Sequence, residues 1–216
     1  MSYYPIFVEM EGRRIVVIGG GQVAEGKVSG LLTAGASVTV IAPDLTTSLS
    51  QLATDAKITW QERSYVYGDL VGFEVCMVAT DDGAVNAEVA GEARERGIWV
   101  NAADDPVNCD FILPSVVRQG PIVVAASTGG ASPALARRLR EELTDFLAED
   151  YAPLAELLAS VRTELRDRGL RIIDGDLWSK AIDARFRALV AQRRPEEARE
   201  HLLSGLGVSE APAAGA

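Results

Sequence analysis

Arg14-Ile15-Val16-Val17-Ile18-Gly19-Gly20-Gly21-Gln22-Val23-Ala24 is the stretch that decides the fold. Its β-branched run, Ile15 to Ile18, reads as a strand buried on both faces. Residues 22–34 then carry Val23, Val28, Leu31 and Leu32 at a helical spacing. A glycine triplet alone marks any tight βα turn. Between a buried strand and a helix, the pattern Gly19-x-Gly21-x-x-Ala24 marks the pyrophosphate turn of a dinucleotide-binding, Rossmann-type domain. Gly19 permits the tight turn. Gly21 removes a side chain so that a pyrophosphate can approach the backbone. Ala24 is small enough for close helix–strand packing. The helix start adds unpaired N–H groups and the positive end of a dipole.

The same alternation continues outward. Gly35 stands where a helix C-cap glycine belongs. A second strand is predicted over 37–41 and is stopped by Pro43; a short helix follows over 45–53 and a third strand over 57–60. Residues 74–79 read as a fourth strand. Thr80-Asp81-Asp82 is polar, with N-cap chemistry, before a helix over 83–96 that ends at Gly97. Residues 98–101 make a fifth strand. Repeated β-then-α order predicts a parallel doubly wound sheet, with ligands beyond the carboxyl ends of its strands.

The pattern changes after about residue 110. Residues 111–117 and 121–126 read as a hairpin turning at Arg118-Gln119-Gly120. Ser127-Thr128-Gly129-Gly130-Ala131-Ser132-Pro133 is a loop that starts a helix over 133–147, striped with Leu135, Leu139, Leu143 and Leu147. Helices are predicted over 151–168, 177–192 and 195–204. The Ala/Pro/Gly-rich tail 209–216 is predicted to be disordered.

Composition narrows the function. The 216 residues are 48% hydrophobic and 24% charged, with a net charge of −10. No basic stripe suits a nucleic acid, and no apolar run reaches the ~18–20 residues of a membrane span. No signal peptide is visible, so a cytoplasmic protein is expected. Cys76, Cys109 and the single histidine, His201, offer no metal-ligand cluster, so no metal site is expected. Both thiols read as buried or half-buried, and His201 reads as a surface residue.

Candidate chemistry follows from what is present. Asp44, just past the second strand, is placed to reach an adenine ribose, or to cap the next helix. No Arg or Lys lies between Gly35 and Asp55, so a 2′-phosphate lacks a partner and NAD is expected over NADP. Asn101-Ala102-Ala103-Asp104-Asp105-Pro106 puts two carboxylates after the fifth strand, as general-base candidates or as ordinary turn residues. The only lysines are Lys27, Lys57 and Lys180, and none completes a Tyr-x-x-x-Lys pair. A carboxylate is therefore the leading acid–base group. The glycines of the 127–133 loop, with Arg137, Arg138 and Arg140 after it, form a candidate anion cradle, or else a capped helix with a solvated basic face.

Taken together, Pro5-Ile6-Phe7, the 17–24 turn, Ala79-Thr80-Asp81-Asp82, Val100 to Asp104, Phe111-Ile112-Leu113-Pro114-Ser115 and the 127–133 loop resemble the precorrin-2 dehydrogenase module of siroheme synthases. The match in order and spacing runs from about residue 3 to 145; the helical remainder fits only in character. The resemblance implies oxidation of precorrin-2 by NAD⁺ to sirohydrochlorin, and in some members Fe²⁺ insertion to give siroheme. It puts the catalytic, proton-accepting aspartate at Asp104. Cofactor contacts fall on Gly19, Gly21, Gln22, Val23, Pro43, Asp44 and Thr80. Substrate contacts fall on Thr128, Gly129, Gly130, Ser132, Arg137 and Arg138.

The resemblance further implies an α/β NAD(P)-binding Rossmann domain over 1–113, a small α+β dimerisation region over 114–148 and a helical domain over 149–208, in a homodimer. Some members are phosphorylated on the second serine of a Ser-Ser-Gly-Gly version of the loop; here that position is Thr128. The alternatives are a dehydrogenase without chelatase activity, and a non-catalytic NAD-sensing module.

Overall fold

A computed structural model describes residues 3–103, 105–147 and 151–208. Two compact units divide the chain, Met1–Leu113 and Pro114–Ala216.

In the first unit, strands β1 (Arg14–Ile18), β2 (Ser37–Ala42), β3 (Thr59–Glu62), β4 (Val75–Val78) and β5 (Trp99–Ala102) form one parallel sheet in the order β3-β2-β1-β4-β5. Alternate side chains of β1 enter opposite cores. Ile15 and Val17 pack with Ala24, Val28 and Leu31 of helix α1 (Gln22–Thr33) and with Leu49 of α2 (Thr47–Thr54). Val16 and Ile18 pack with Val89, Ala90 and Ala93 of α3 (Gly83–Arg96). Both faces are covered, which is why the strand has no polar alternation. The chain leaves β1 toward β2 and later returns to β4 on its other side, so the connections after β1 and β4 run opposite ways, the switch point where such sheets bind ligands.

The long β3–β4 connection is pinned by a buried carboxylate. Glu92 of α3 is 1% exposed. It accepts hydrogen bonds from Tyr65 Oη at 2.6 Å, Gly68 N at 2.9 Å, Leu70 N at 3.3 Å and Arg96 Nε at 2.6 Å. Burial alone would raise this carboxyl, but the bonds from Tyr65, Gly68, Arg96 and Leu70 outweigh it and hold the group below the ordinary carboxylate range.

Several local expectations shift. β3 starts two residues late because Ala56 adopts φ 54° and Lys57 N bonds Leu52 O at 2.8 Å, closing α2 first. The cap of α2 is Thr46, whose Oγ1 accepts from Leu49 N, so Asp44 is not the helix cap. Residues 111–114 are not strand: Asp110 N donates to Val100 O at 2.8 Å and Asn101 Nδ2 to Phe111 O at 2.9 Å, which lays this segment along β5.

The second unit opens with the antiparallel hairpin β6 (Ser115–Gln119) and β7 (Ile122–Ala126). Gln119 pairs with Ile122, so the turn is Gly120-Pro121 rather than Arg118-Gln119-Gly120. Helices α4 (Pro133–Leu147), α5 (Tyr151–Asp167), α6 (Gly175–Ala181), α7 (Ala184–Ala191) and α8 (Pro195–Gly205) follow. The expected helix over 177–192 is broken into α6 and α7. Asp183 accepts from Phe186 N at 2.8 Å and starts a new helix, sending Phe186 fully into a core with Val161, Ala198 and Leu202. His201 is half-buried rather than a surface residue, with Nε2 3.0 Å from each Asp183 oxygen. The tail 209–216 lies outside the described residues. No described helix is long and apolar enough to cross a membrane.

Candidate functional site

The three glycines of the turn answer to different neighbours. Gly19 has φ 115°, and a Cβ there would lie 2.3 Å from Ala79 O at the end of β4. A Cβ on Gly20 would lie 2.0 Å from Asp44 O, in the loop after β2. A Cβ on Gly21 would meet nothing within 4 Å. Protein backbone therefore excludes side chains at the first two positions, and open space remains at the third. Gly21 is also the N-cap of α1, with no side chain capping the helix. The first-turn N–H groups are left for a ligand, and this uncapped, open cradle fits a pyrophosphate.

The other cofactor candidates gather around this turn. Gln22 and Val23 form the first turn of α1, and Val23 is 53% exposed. Pro43 and Asp44 are exposed just past β2. Thr80 follows β4; its Oγ1 accepts from Asp82 N at 2.9 Å and donates to Asn86 Oδ1 at 3.2 Å. Asp82 in turn caps α3, accepting from Ala84 N and Val85 N. All seven residues thus stand at the carboxyl ends of β1, β2 and β4.

At the end of β5 the chain is held from both sides. Ala103 N donates to Val78 O at 3.0 Å. Asp105 Oδ2 accepts from Asn108 Nδ2 at 2.6 Å, so Asp105 is a turn residue at the head of the 3-10 turn Pro106–Asn108. Asp104 lies outside the described residues. Beneath this bend Asn101 is 7% exposed and satisfied at both ends. Its Oδ1 accepts from Lys27 Nζ of α1, and its Nδ2 donates to Phe111 O. Cys109 Sγ accepts from Ala102 N at 3.1 Å and lies within bonding range of Ala102 O and Asp105 O. Burial pushes the Cys109 thiol up, away from the thiolate form. The Lys27–Asn101 pair escaped sequence reasoning: the partners are 74 residues apart and neither lies in a motif with the other.

The remaining candidates lie in the second unit. Thr128 Oγ1 accepts from Ser132 N at 3.0 Å and donates to Ser132 O at 3.1 Å, closing the loop on itself. Ser132 Oγ accepts from Leu135 N at 3.2 Å and caps α4. Gly129 and Gly130 have φ 62° and 88° and face open space. Arg137 and Arg138 are both exposed, but they differ. Arg138 Nε donates to Glu142 Oε1 at 2.8 Å, and Glu141 lies 3.8 Å away, so its charge is matched on its own helix. Among the described residues no acidic side chain is paired with Arg137.

A doubly wound sheet with an uncapped glycine turn at its switch point defines a dinucleotide-binding protein. Residues 6–115 match the family model described as "Putative NAD(P)-binding", and the chain belongs to that NAD(P)-binding family. Residues 119–145 match a second model, "Sirohaem biosynthesis protein central". The chain is 36% identical over 211 residues to a siroheme synthase of Photorhabdus laumondii subsp. laumondii, covering 97% of this chain and 45% of that one. It is 39% identical over 208 residues to a siroheme synthase of Nitrosococcus oceani, covering 95% and 44%. It therefore spans less than half the length of these relatives. Among solved structures it is similar to SirC, precorrin-2 dehydrogenase, at a TM-score of 0.73 and 27% identity, covering 92% of this chain and 99% of that one. The family match supports a nicotinamide dinucleotide, NAD(P), as the ligand of the turn.

Proposed function

We propose that the chain is an NAD-dependent precorrin-2 dehydrogenase of siroheme biosynthesis, acting as a cytoplasmic homodimer. The observation that carries this is the likeness to SirC, precorrin-2 dehydrogenase, across 99% of that chain, together with the open cradle at Gly21.

NAD⁺, when bound, supplies the hydride acceptor. The chain's own residues do the rest. The first turn of α1 binds the pyrophosphate through Gln22 and Val23 N–H groups, across the space that Gly21 leaves. Asp44 accepts a hydrogen bond from the adenine ribose, with Pro43 and Thr80 bounding the nucleotide. Asp104 takes the proton that leaves the tetrapyrrole as the hydride departs, which completes a two-electron oxidation. Thr128, Gly129, Gly130 and Ser132, with Arg137, bind substrate carboxylates. Arg138 contributes less because Glu142 already holds it. The boundaries follow as a nucleotide domain over 1–113, a dimerisation region over 114–148 and a helical domain over 149–208. Exposed Leu135 and Phe146 on α4, 51% and 67% exposed, favour pairing of that helix in the dimer.

The test is Asp104→Ala. It abolishes NADH formation from precorrin-2 while NAD binding, followed by calorimetry, persists. Near-parental turnover would refute the assignment. Incubation with sirohydrochlorin and Fe²⁺ or Co²⁺, against a blank without enzyme, scores metal insertion separately.

A further inference from the structure

Glu25 lies one turn into α1, facing the start of α2. Its Oε2 accepts a hydrogen bond from Thr46 Oγ1 at 2.7 Å. The same Thr46 oxygen caps α2 by accepting from Leu49 N at 3.2 Å, and Thr46 N donates to Gly20 O at 2.9 Å. A carboxylate, a helix start and the glycine turn are thus tied together. Next to them is a solvent-open depression of about 650 Å³, lined by Gln22, Glu25, Ser29, Thr46, Thr47 and Ser48 among others. Its lining includes three hydroxyls from the α2 start and Ser29, and Glu25 is its one charged side chain among the described residues.

Without Glu25 this lining would suit a phosphate: hydroxyl donors beside a helix N-terminus attract anions. Its position matters because the adenine ribose of a bound dinucleotide is read at the carboxyl end of β2. Asp44 stands there, two residues before Thr46. A 2′-phosphate on that ribose would project toward the α2 start and meet the Glu25 carboxylate. Thr46 holds that carboxylate in place, and no basic side chain in the lining offsets it. Like charges so placed repel.

We propose that Glu25 is a specificity-determining residue that excludes a 2′-phosphate, and with it NADP, from the β2–α2 junction. This rests on the reading of residues 19–23 and 43–44 as the NAD site. Asp44 alone explains recognition of a ribose hydroxyl. Glu25 adds rejection of the phosphorylated ribose, from a different element and a different side of the pocket.

The experiment is calorimetric titration of the full chain with NADH and with NADPH, for the parent, Glu25→Gln and Glu25→Lys. Gln keeps an acceptor for Thr46, so the fold is preserved, which a thermal melt verifies. The ratio of Kd for NADPH to Kd for NADH falls about tenfold in Glu25→Gln and about a hundredfold in Glu25→Lys, through tighter NADPH binding. A ratio within twofold of the parent in both variants overturns the assignment, as does a ratio that falls only because NADH weakens. A parent that binds neither dinucleotide overturns the NAD-site reading beneath it. Normal NADH binding with an unmoved ratio overturns the Glu25 role alone.

Discussion

The glycine turn at 19–21 and the glycine loop at 127–132 both precede a helix, yet they are built in opposite ways. In the first, two glycines are pressed against backbone, at Ala79 O and Asp44 O, and the helix start has no cap. In the second, both glycines face open space and Ser132 caps the helix. A braced, uncapped turn leaves N–H groups for a ligand. A self-closed, capped loop has already used one, so its anion affinity must come more from an arginine than from the helix. For α4 that arginine is Arg137, because Arg138 is held by Glu142.

The largest expected effect breaks the bracing. Gly20→Ala drives a methyl against Asp44 O and costs about 3 kcal/mol in urea unfolding, with loss of NAD binding. Gly130→Ala meets no neighbour and bears only its φ of 88°, a cost of about 1 kcal/mol. Equal costs at the two sites would erase the distinction.

Gly21→Val comes next. Its Cβ meets nothing within 4 Å, so the urea midpoint stays near the parent's, yet the side chain weakens NAD binding about tenfold or more by filling the pyrophosphate space. An unchanged Kd would show that the space is not the ligand's. In the second unit, Arg137→Ala raises KM for precorrin-2 about tenfold, while Arg138→Ala changes it by about twofold or less. Steady-state kinetics of the two single variants separate them, and the reverse order would contradict the reading.

The smallest effect on the ligand is expected at Glu92, which braces the β3–β4 connection through Tyr65, Gly68 and Leu70. Its carboxyl is held below its unfolded value, so its contribution is complete above an unfolded value of about 4.3 and is lost as pH falls through the lower folded value. Glu92→Gln therefore flattens the acid limb of stability against pH, measured by urea unfolding between pH 7 and 3 (the range is about that of carboxylate titration). An acid limb identical to the parent's would show that the cluster around Tyr65 does not titrate with folding.

Much of this was legible in the sequence where the signal is local. The β-branched run of β1, the turn after it, the Asp82 cap and the Gly97 stop of α3 all depend on residues within a few positions. Asp183 was local too, but continuous apolar spacing over 177–192 masked its capping role. What could not be read depends on partners far apart in the chain. Gly20 is required by Asp44 O, Asn101 by Lys27 and Phe111, and the β3–β4 connection by Glu92. The split between Arg137 and Arg138 needed the direction of each side chain on α4, which spacing alone does not supply.

The central claim is that the braced turn holds NAD⁺ for oxidation of precorrin-2. It is tested most directly by mixing the full chain with NAD⁺ and precorrin-2 without oxygen and following NADH absorbance together with the sirohydrochlorin spectrum. NADH and sirohydrochlorin are expected to appear together in equal amounts, and Asp104→Ala to form neither while still binding NAD⁺. Sirohydrochlorin formation without NADH, or normal NAD⁺ binding with no oxidation by the parent chain, would contradict it.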